Sequence, residues 1–317
     1  MLENFIYSLN ATIPVFLVIV LGYLLGRAKM LNDNFVAVAN RLTYSITLPV
    51  MLFLEISGMD AASLLDFRFL AFGFLSSLAC ILLIWGGARL FLKDKSMVGS
   101  FVQGSYRGSA ALLGVALMQN IYGSASYASI MILAAAPLYN IMAVIILMIE
   151  GKRPEGAGQG GMAKQALLGV LKNPIIWGIL LGLPFAIWNL HLPRMLSSSL
   201  QSVSSIATPL ALLAIGASFR LDGAKRCLGP ALWATFLKLI AQAAVFLPVA
   251  VWLGFTGERL VALLIMFASP TATASYIMAV NMGNDGDLSS SIIVYTTLFS
   301  AATVTAWIFL LRSLSLI

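Results

Sequence analysis

Long apolar runs, separated by short polar gaps, recur from Phe5 to Leu311. Each is close to the roughly 20 residues that a bilayer-crossing helix needs. Strands of a membrane barrel would instead alternate polar and apolar residues over short segments, and no such alternation appears. The pattern predicts an all-α integral membrane protein. Its helices fall at about 4–27, 34–58, 68–92, 97–120 and 124–150, then at about 166–190, 195–220, 226–253, 258–282 and 288–311, ten transmembrane helices in all. Composition agrees: 60% of residues are hydrophobic and 10% are charged, a balance foreign to soluble domains.

Charge then orients the spans. Arg27 and Lys29, Arg89, Lys93 and Lys95, Lys152, Arg153, Lys164 and Lys172, and Arg220, Lys225 and Arg226 gather in alternate gaps; the other side has only Arg68, Arg194, Arg259 and Arg312. Basic residues concentrate on the cytoplasmic side, so both termini are expected outside the cytoplasm of a multi-pass protein of the cell (inner) membrane. The formal net charge of +7 therefore reads as topology, with no nucleic acid as partner. The amino terminus lacks a basic leader and cleavage site and is read as a retained helix.

The segment "GKRPEGAGQGGMA" at 151–163 reads as a cytoplasmic linker between a first five-helix unit, 1–150, and a second, 164–317. An odd number of spans per unit would insert the second upside down relative to the first. An offset of 160 residues pairs Pro14 with Pro174, Gly22 with Gly182, Pro49 with Pro209 and Ser109 with Ser269. Matching helix breakers support an inverted repeat more than overall identity does.

Candidate chemistry lies where the spans are interrupted. In "ASPTATASYIMAVNMGND", Pro270 falls inside the ninth span among Thr271, Thr273 and Ser275. A proline frees backbone groups that lipid cannot satisfy, which places such a break in the interior or beside water. Its counterpart in the fourth span is "QGSYRGSAALLG", where Gly104, Gly108 and Gly114 surround Gln103, Ser105, Tyr106, Arg107 and Ser109. Helix breaks are thus expected at Pro49, Gly104, Gly108, Pro209 and Pro270. Arg107 would bind an anion or reach the cytoplasmic interface; Lys238, in the eighth span, would bind an anion or hold half-helix carboxyl ends as a fixed cation. Glu55, near the outer end of the second span, is not obviously opposite either. A kink with small packing residues is the plain alternative for the Pro270 segment. In "GNDGD" (283–287), Asp285 and Asp287 read as a turn, with Asp287 capping the last helix. Neither a metal cluster, a cofactor cradle nor a nucleophile with its base can be assembled, so an enzyme is not expected.

The segments "NRLTYSITLPVMLF" (40–53), "KNPIIWGILLGL" (172–183), "ATPLALLAIGASF" (207–219) and "ASPTATASYIMAVNMGND" (268–285) resemble the auxin efflux carrier family, which includes bacterial malonate and malate permeases and plant auxin exporters. The resemblance extends over essentially the whole chain. It implies a fold of the sodium/bile-acid-symporter type: a 5+5 inverted repeat with broken, crossing helices 4 and 9. Helices 1, 2, 6 and 7 would be the scaffold and helices 3–5 and 8–10 an elevator-like transport domain, usually in a homodimer. A small organic anion, a mono- or dicarboxylate, would bind at the crossing through Tyr106, Arg107, Ser109, Pro270, Thr271, Thr273, Ser275 and Lys238. Many relatives have asparagine where this chain has Ser109, and the plant carriers have a proline in that crossing that is missing here; Arg107 matches a basic residue often found just before it. Coupling to a proton or sodium stays open, as does an anion channel, although a channel would show a continuous polar ring along a pore.

Overall fold

The computed structural model describes residues 2–58, 66–109, 117–119, 121–122, 126–151 and 173–317. The predicted linker beyond Gly151, the stretch with Gly114, and Lys152, Arg153, Lys164 and Lys172 lie outside them. Among the described residues every element is helical. We number them α1 (Leu2–Arg27), α2 (Asp33–Ser57), α3 (Phe67–Phe91), α4 (Val98–Tyr106), α5 (Ser126–Glu150) and α6 (Pro174–Ile187). They continue as α7 (Arg194–Ser218), α8 (Leu228–Trp252), α9 (Gly257–Ala268), α10 (Ala274–Asn281) and α11 (Gly286–Ser313). Six of them, α2, α3, α5, α7, α8 and α11, are long and apolar enough to cross a membrane; Ile13–Arg27 of α1 and all of α6 add shorter apolar stretches.

Local chemistry sets the helix starts. Asn32, Asp66, Asn173 and Asp285 each place a side-chain oxygen on a backbone N–H of the first turn, as N-caps do. The last helix is capped by Asp285, which accepts from the Leu288 N–H at 2.9 Å, and not by Asp287 as expected. Asp287 sits inside the first turn, two residues past the cap position.

Prolines do not act uniformly. α2 continues past Pro49, because a π-helical turn at Thr43–Thr47 immediately before it absorbs the missing donor. Pro209 likewise stands inside a continuing helix, just beyond a joint at Ile206. The chain leaves helical geometry between α4 and the residues beyond Tyr106, and between α9 and α10 around Pro270. Gly104 is still helical, whereas Gly108 lies in the interruption.

Two apolar cores result. One joins α3, α4, α5, α8, α9 and α11 around Phe69, Phe101, Met131, Phe267 and Ile292. The other joins α1, α2, α6 and α7 around Ile19, Leu52, Ile176 and Ile215, and reaches α5 and α10 through Val144 and Ile277. Within the second core, helices meet at backbone contact. A Cβ added at Gly216 would lie 2.1 Å from the Ile19 carbonyl oxygen on α1, and one at Gly178 would lie 2.4 Å from that of Pro49 on α2. Small residues permit such approaches where lipid offers no hydrophobic drive for association.

The consequence is testable by thermal unfolding of the purified protein in detergent. Gly216→Ala and Gly178→Ala each force helices apart and should lose about 1–3 kcal/mol. Gly229→Ala, whose added Cβ meets open space, should leave the melting temperature unchanged or slightly raised.

Candidate functional site

The two interruptions cross each other. Arg107 and Ser269, the residues that end α4 and α9, are extended. Gly108 and Thr271 form an isolated antiparallel bridge in which the Ser109 N–H donates to the Pro270 carbonyl at 2.7 Å and the Ala272 N–H donates to the Arg107 carbonyl at 3.1 Å. Gly108 suits this closeness: a Cβ there would lie 2.3 Å from Ser269 Oγ and 3.0 Å from Lys238 Nζ, so both side chains would have to shift.

Unwinding leaves helix-end carbonyls exposed, and side chains cover them. Lys238 Nζ donates to the carbonyls of Met266 and Phe267 at 3.0 and 3.1 Å, at the carboxyl end of α9. Gln242 Nε2 donates to the Ser105 carbonyl at 2.5 Å, at the carboxyl end of α4. Thr271 Oγ1 donates to the Gly104 carbonyl at 2.7 Å, and the Thr271 N–H donates to Thr296 Oγ1 on α11 at 3.1 Å. Lys238 lies in a π-helical turn of α8, Leu237–Ala241, with Gln242 at its end. One buried helix face thereby serves both broken ends, and a cation is well placed against a helix carboxyl terminus.

A cavity of about 610 Å³ opens beside the crossing. The crossing contributes Arg107, Gly108, Ser109, Ala272, Thr273 and Ala274; α2 contributes Glu55 and its apolar neighbours; α5 contributes Tyr139 and Asn140; and α7 contributes Gln201, Ser204, Ser205 and Thr208. Arg107 is 5% exposed. It donates to Asn140 Oδ1 at 2.6 Å and to the sulfur of Met278, a weak acceptor, at 2.9 Å. Its guanidinium has five N–H donors, of which two bond to side chains among the described residues. The amino end of α10, starting at Ala274, reaches the same space with the positive end of its dipole.

Of the residues singled out in the sequence as substrate-binding, Arg107, Ser109 and Thr273 line this cavity, as do Gly108 and Pro209 from the expected helix breaks. Tyr106, Lys238, Thr271 and Ser275 are buried behind it; Tyr106 donates to the Tyr139 carbonyl at 3.1 Å and supports the wall. Pro270 contributes its carbonyl to the bridge. Sequence reasoning passed over Asn140, a lone amide in an apolar run, as well as Gln242, Thr296 and the polar start of α7. It also set Glu55 apart from both cations, whereas folding brings Glu55 and Arg107 to one cavity.

The chain matches the family model described as "Membrane transport protein" over residues 7–308. It belongs to that family, the auxin efflux carriers. It is 22% identical to the "Uncharacterized transporter YfdV" of Escherichia coli over 314 residues, 98% of this chain and 99% of that protein. An "Uncharacterized transporter" of Methanothermobacter thermautotrophicus is 21% identical over 96% of this chain and 98% of its own. A protein of Rhizobium meliloti named "Putative malonate transporter" is 24% identical over 95% of each chain. This auxin efflux carrier family member is thus a multi-pass membrane transporter and not an enzyme.

Within this transporter, Lys238 fills a structural place. Lys238→Met keeps the side chain's bulk and removes its donor, leaving the Met266 and Phe267 carbonyls uncovered. Stability should fall by about 1–3 kcal/mol, read as earlier thermal unfolding and as faster hydrogen exchange in 266–272. An unchanged exchange pattern would contradict this account.

Proposed function

We propose that this auxin efflux carrier family member moves a small organic anion, a mono- or dicarboxylate, across the inner membrane by elevator-like alternating access. The observation that carries the reading is Arg107: a permanently charged guanidinium at the crossing, lining a cavity, whose side-chain partners among the described residues are one amide and one displaceable sulfur. A substrate carboxylate would replace the Met278 contact with charge-assisted hydrogen bonds. Ser109, Thr273 and the amino end of α10 would supply further donors. The Rhizobium meliloti relative's name is in keeping with such a substrate.

The two cores support the moving parts. α1, α2, α6 and α7 would form the scaffold, and α3–α5 with α8–α11 the transport domain, giving ten spans in two inverted units once α9 and α10 are counted as one broken helix. The cavity lies between them, with α2 and α7 on one wall and the crossing and α5 on the other. A domain that slides along this wall would carry Arg107 from one side to the other. With both termini outside the cytoplasm, the cavity of this structure opens outward, beside the end of α2 and the start of α7. The working form is a homodimer, as the family likeness implies.

Two variants test the reading in reconstituted vesicles, with saturable carboxylate uptake and counterflow as readouts. Arg107→Ala should weaken substrate affinity roughly 10- to 150-fold, from about 1.5–3 kcal/mol of lost charged hydrogen bonding, while the protein reaches the membrane at normal abundance. Unchanged affinity in that variant would remove Arg107 from the site, and conductance far above carrier turnover would make the protein a channel. Glu55→Gln removes an internal competitor for Arg107 and should tighten anion binding, an effect that disappears when Arg107 is also replaced.

A further inference from the structure

A second cavity, of about 810 Å³, lies away from the crossing, where α1 and α7 end, the connector 219–226 leads into α8, and α11 begins. Arg27, Arg220, Lys225 and Arg226 converge on it, with Asp222 and Asp287 as the acidic lining. Arg226 is spoken for: it is 2.8 Å from Asp285 and 3.7 Å from Asp287. Among the described residues, no carboxylate lies within ion-pairing distance of Arg27, Arg220 or Lys225. Three cations from two chain segments, the end of α1 and the connector, thus face one concave space with a single carboxylate, Asp222, left to answer them.

Converging unpaired cations call for an anion carrying more than one acceptor oxygen, and phosphate is the group they fit. What lies beside the cavity decides its source. α1 presents Leu17, Leu21 and Leu24, 57%, 48% and 57% exposed, at helical spacing that leads toward Arg27 at its end. Leu221, also exposed, lines the cavity itself. An exposed apolar stripe on a membrane helix whose last turn, through Tyr23, Gly26 and Arg27, lines a basic recess matches a molecule with acyl chains below and a phosphate above.

We infer that this recess is a binding site for an anionic phospholipid, with the headgroup phosphate among Arg27, Arg220 and Lys225 and an acyl chain along the leucines of α1. The site is on the face that the distribution of Lys and Arg assigns to the cytoplasm. It joins α1 and α7 of one core to the connector that enters the other, so an occupant bridges both. The assignment is independent of which substrate the crossing binds.

The test uses the full chain in lipid nanodiscs and in detergent, with binding followed by native mass spectrometry and thermal unfolding. Phosphatidylglycerol should bind and raise the melting temperature, whereas phosphatidylcholine should not. The Arg27→Gln, Arg220→Gln double variant should bind phosphatidylglycerol roughly 30-fold more weakly, from about 1 kcal/mol for each basic residue. Lys93→Gln, a basic residue on the same face but outside the recess, should bind it normally. Equal weakening by Lys93→Gln would reduce the effect to general surface charge and overturn the site. So would a double variant that binds normally, or glycerol phosphate stabilising the protein as well as the lipid does. If the double variant fails to fold, protection of Arg27 and Arg220 from guanidine-directed modification by phosphatidylglycerol in the native protein decides the matter, and no protection overturns the inference.

Discussion

A polypeptide that leaves helical geometry inside hydrocarbon must satisfy each freed carbonyl and N–H from within the protein. Much of this transporter's architecture answers that demand at one place. The segments after Tyr106 and Ala268 bond to each other through Ser109, Pro270, Arg107 and Ala272. The helix ends behind them are covered by Lys238, Gln242 and Thr271, and Thr296 accepts the Thr271 N–H. α8 and α11 are therefore more than packing neighbours of the crossing; they carry Lys238, Gln242 and Thr296, which bond to its freed backbone groups.

Once the backbone is secured in this way, the crossing can turn its remaining polarity toward the cavity. Arg107 and Lys238 illustrate a division of labour between two buried cations. Lys238 is fully enclosed and committed to two carbonyls. Arg107 stands at the cavity wall, opposite a wall that includes Glu55. The same low dielectric that makes an unpaired charge costly makes a well-placed one selective. For the proposed carrier, the position of Glu55 means that an arriving anion meets a cation already balanced in part, so affinity would depend on displacing a contact as well as making one.

Several features were legible in the residues themselves. The apolar runs located the helices because lipid imposes a length and a hydrophobicity on any segment that crosses it. Pro270 and the glycines near Arg107 marked the interruptions because they change backbone options locally. Other features misled for equally physical reasons. Pro49 looked like a break, yet a π turn one step earlier restored the helix. Asp287 looked like the cap of α11, but capping depends on which carboxylate lies two or three residues before a free N–H, and that is Asp285. Gln242 and Thr296 gave no signal, since their value lies in partners far away in the chain.

The sequence by itself determined the solvent, the helical class and the interruptions at Gly108 and Pro270, though not which other prolines and glycines stay helical, because each follows from composition or from backbone chemistry within a few neighbouring residues. Only the tertiary structure decided that the interruptions pair with each other, that Lys238 belongs to the helix ends while Arg107 belongs to the cavity, and that Glu55 faces the same space. Those outcomes depend on distances between residues remote in sequence, such as the 3.0 Å from Lys238 Nζ to the Met266 carbonyl. Such distances are set by how two apolar cores pack, and no local pattern along the chain encodes them.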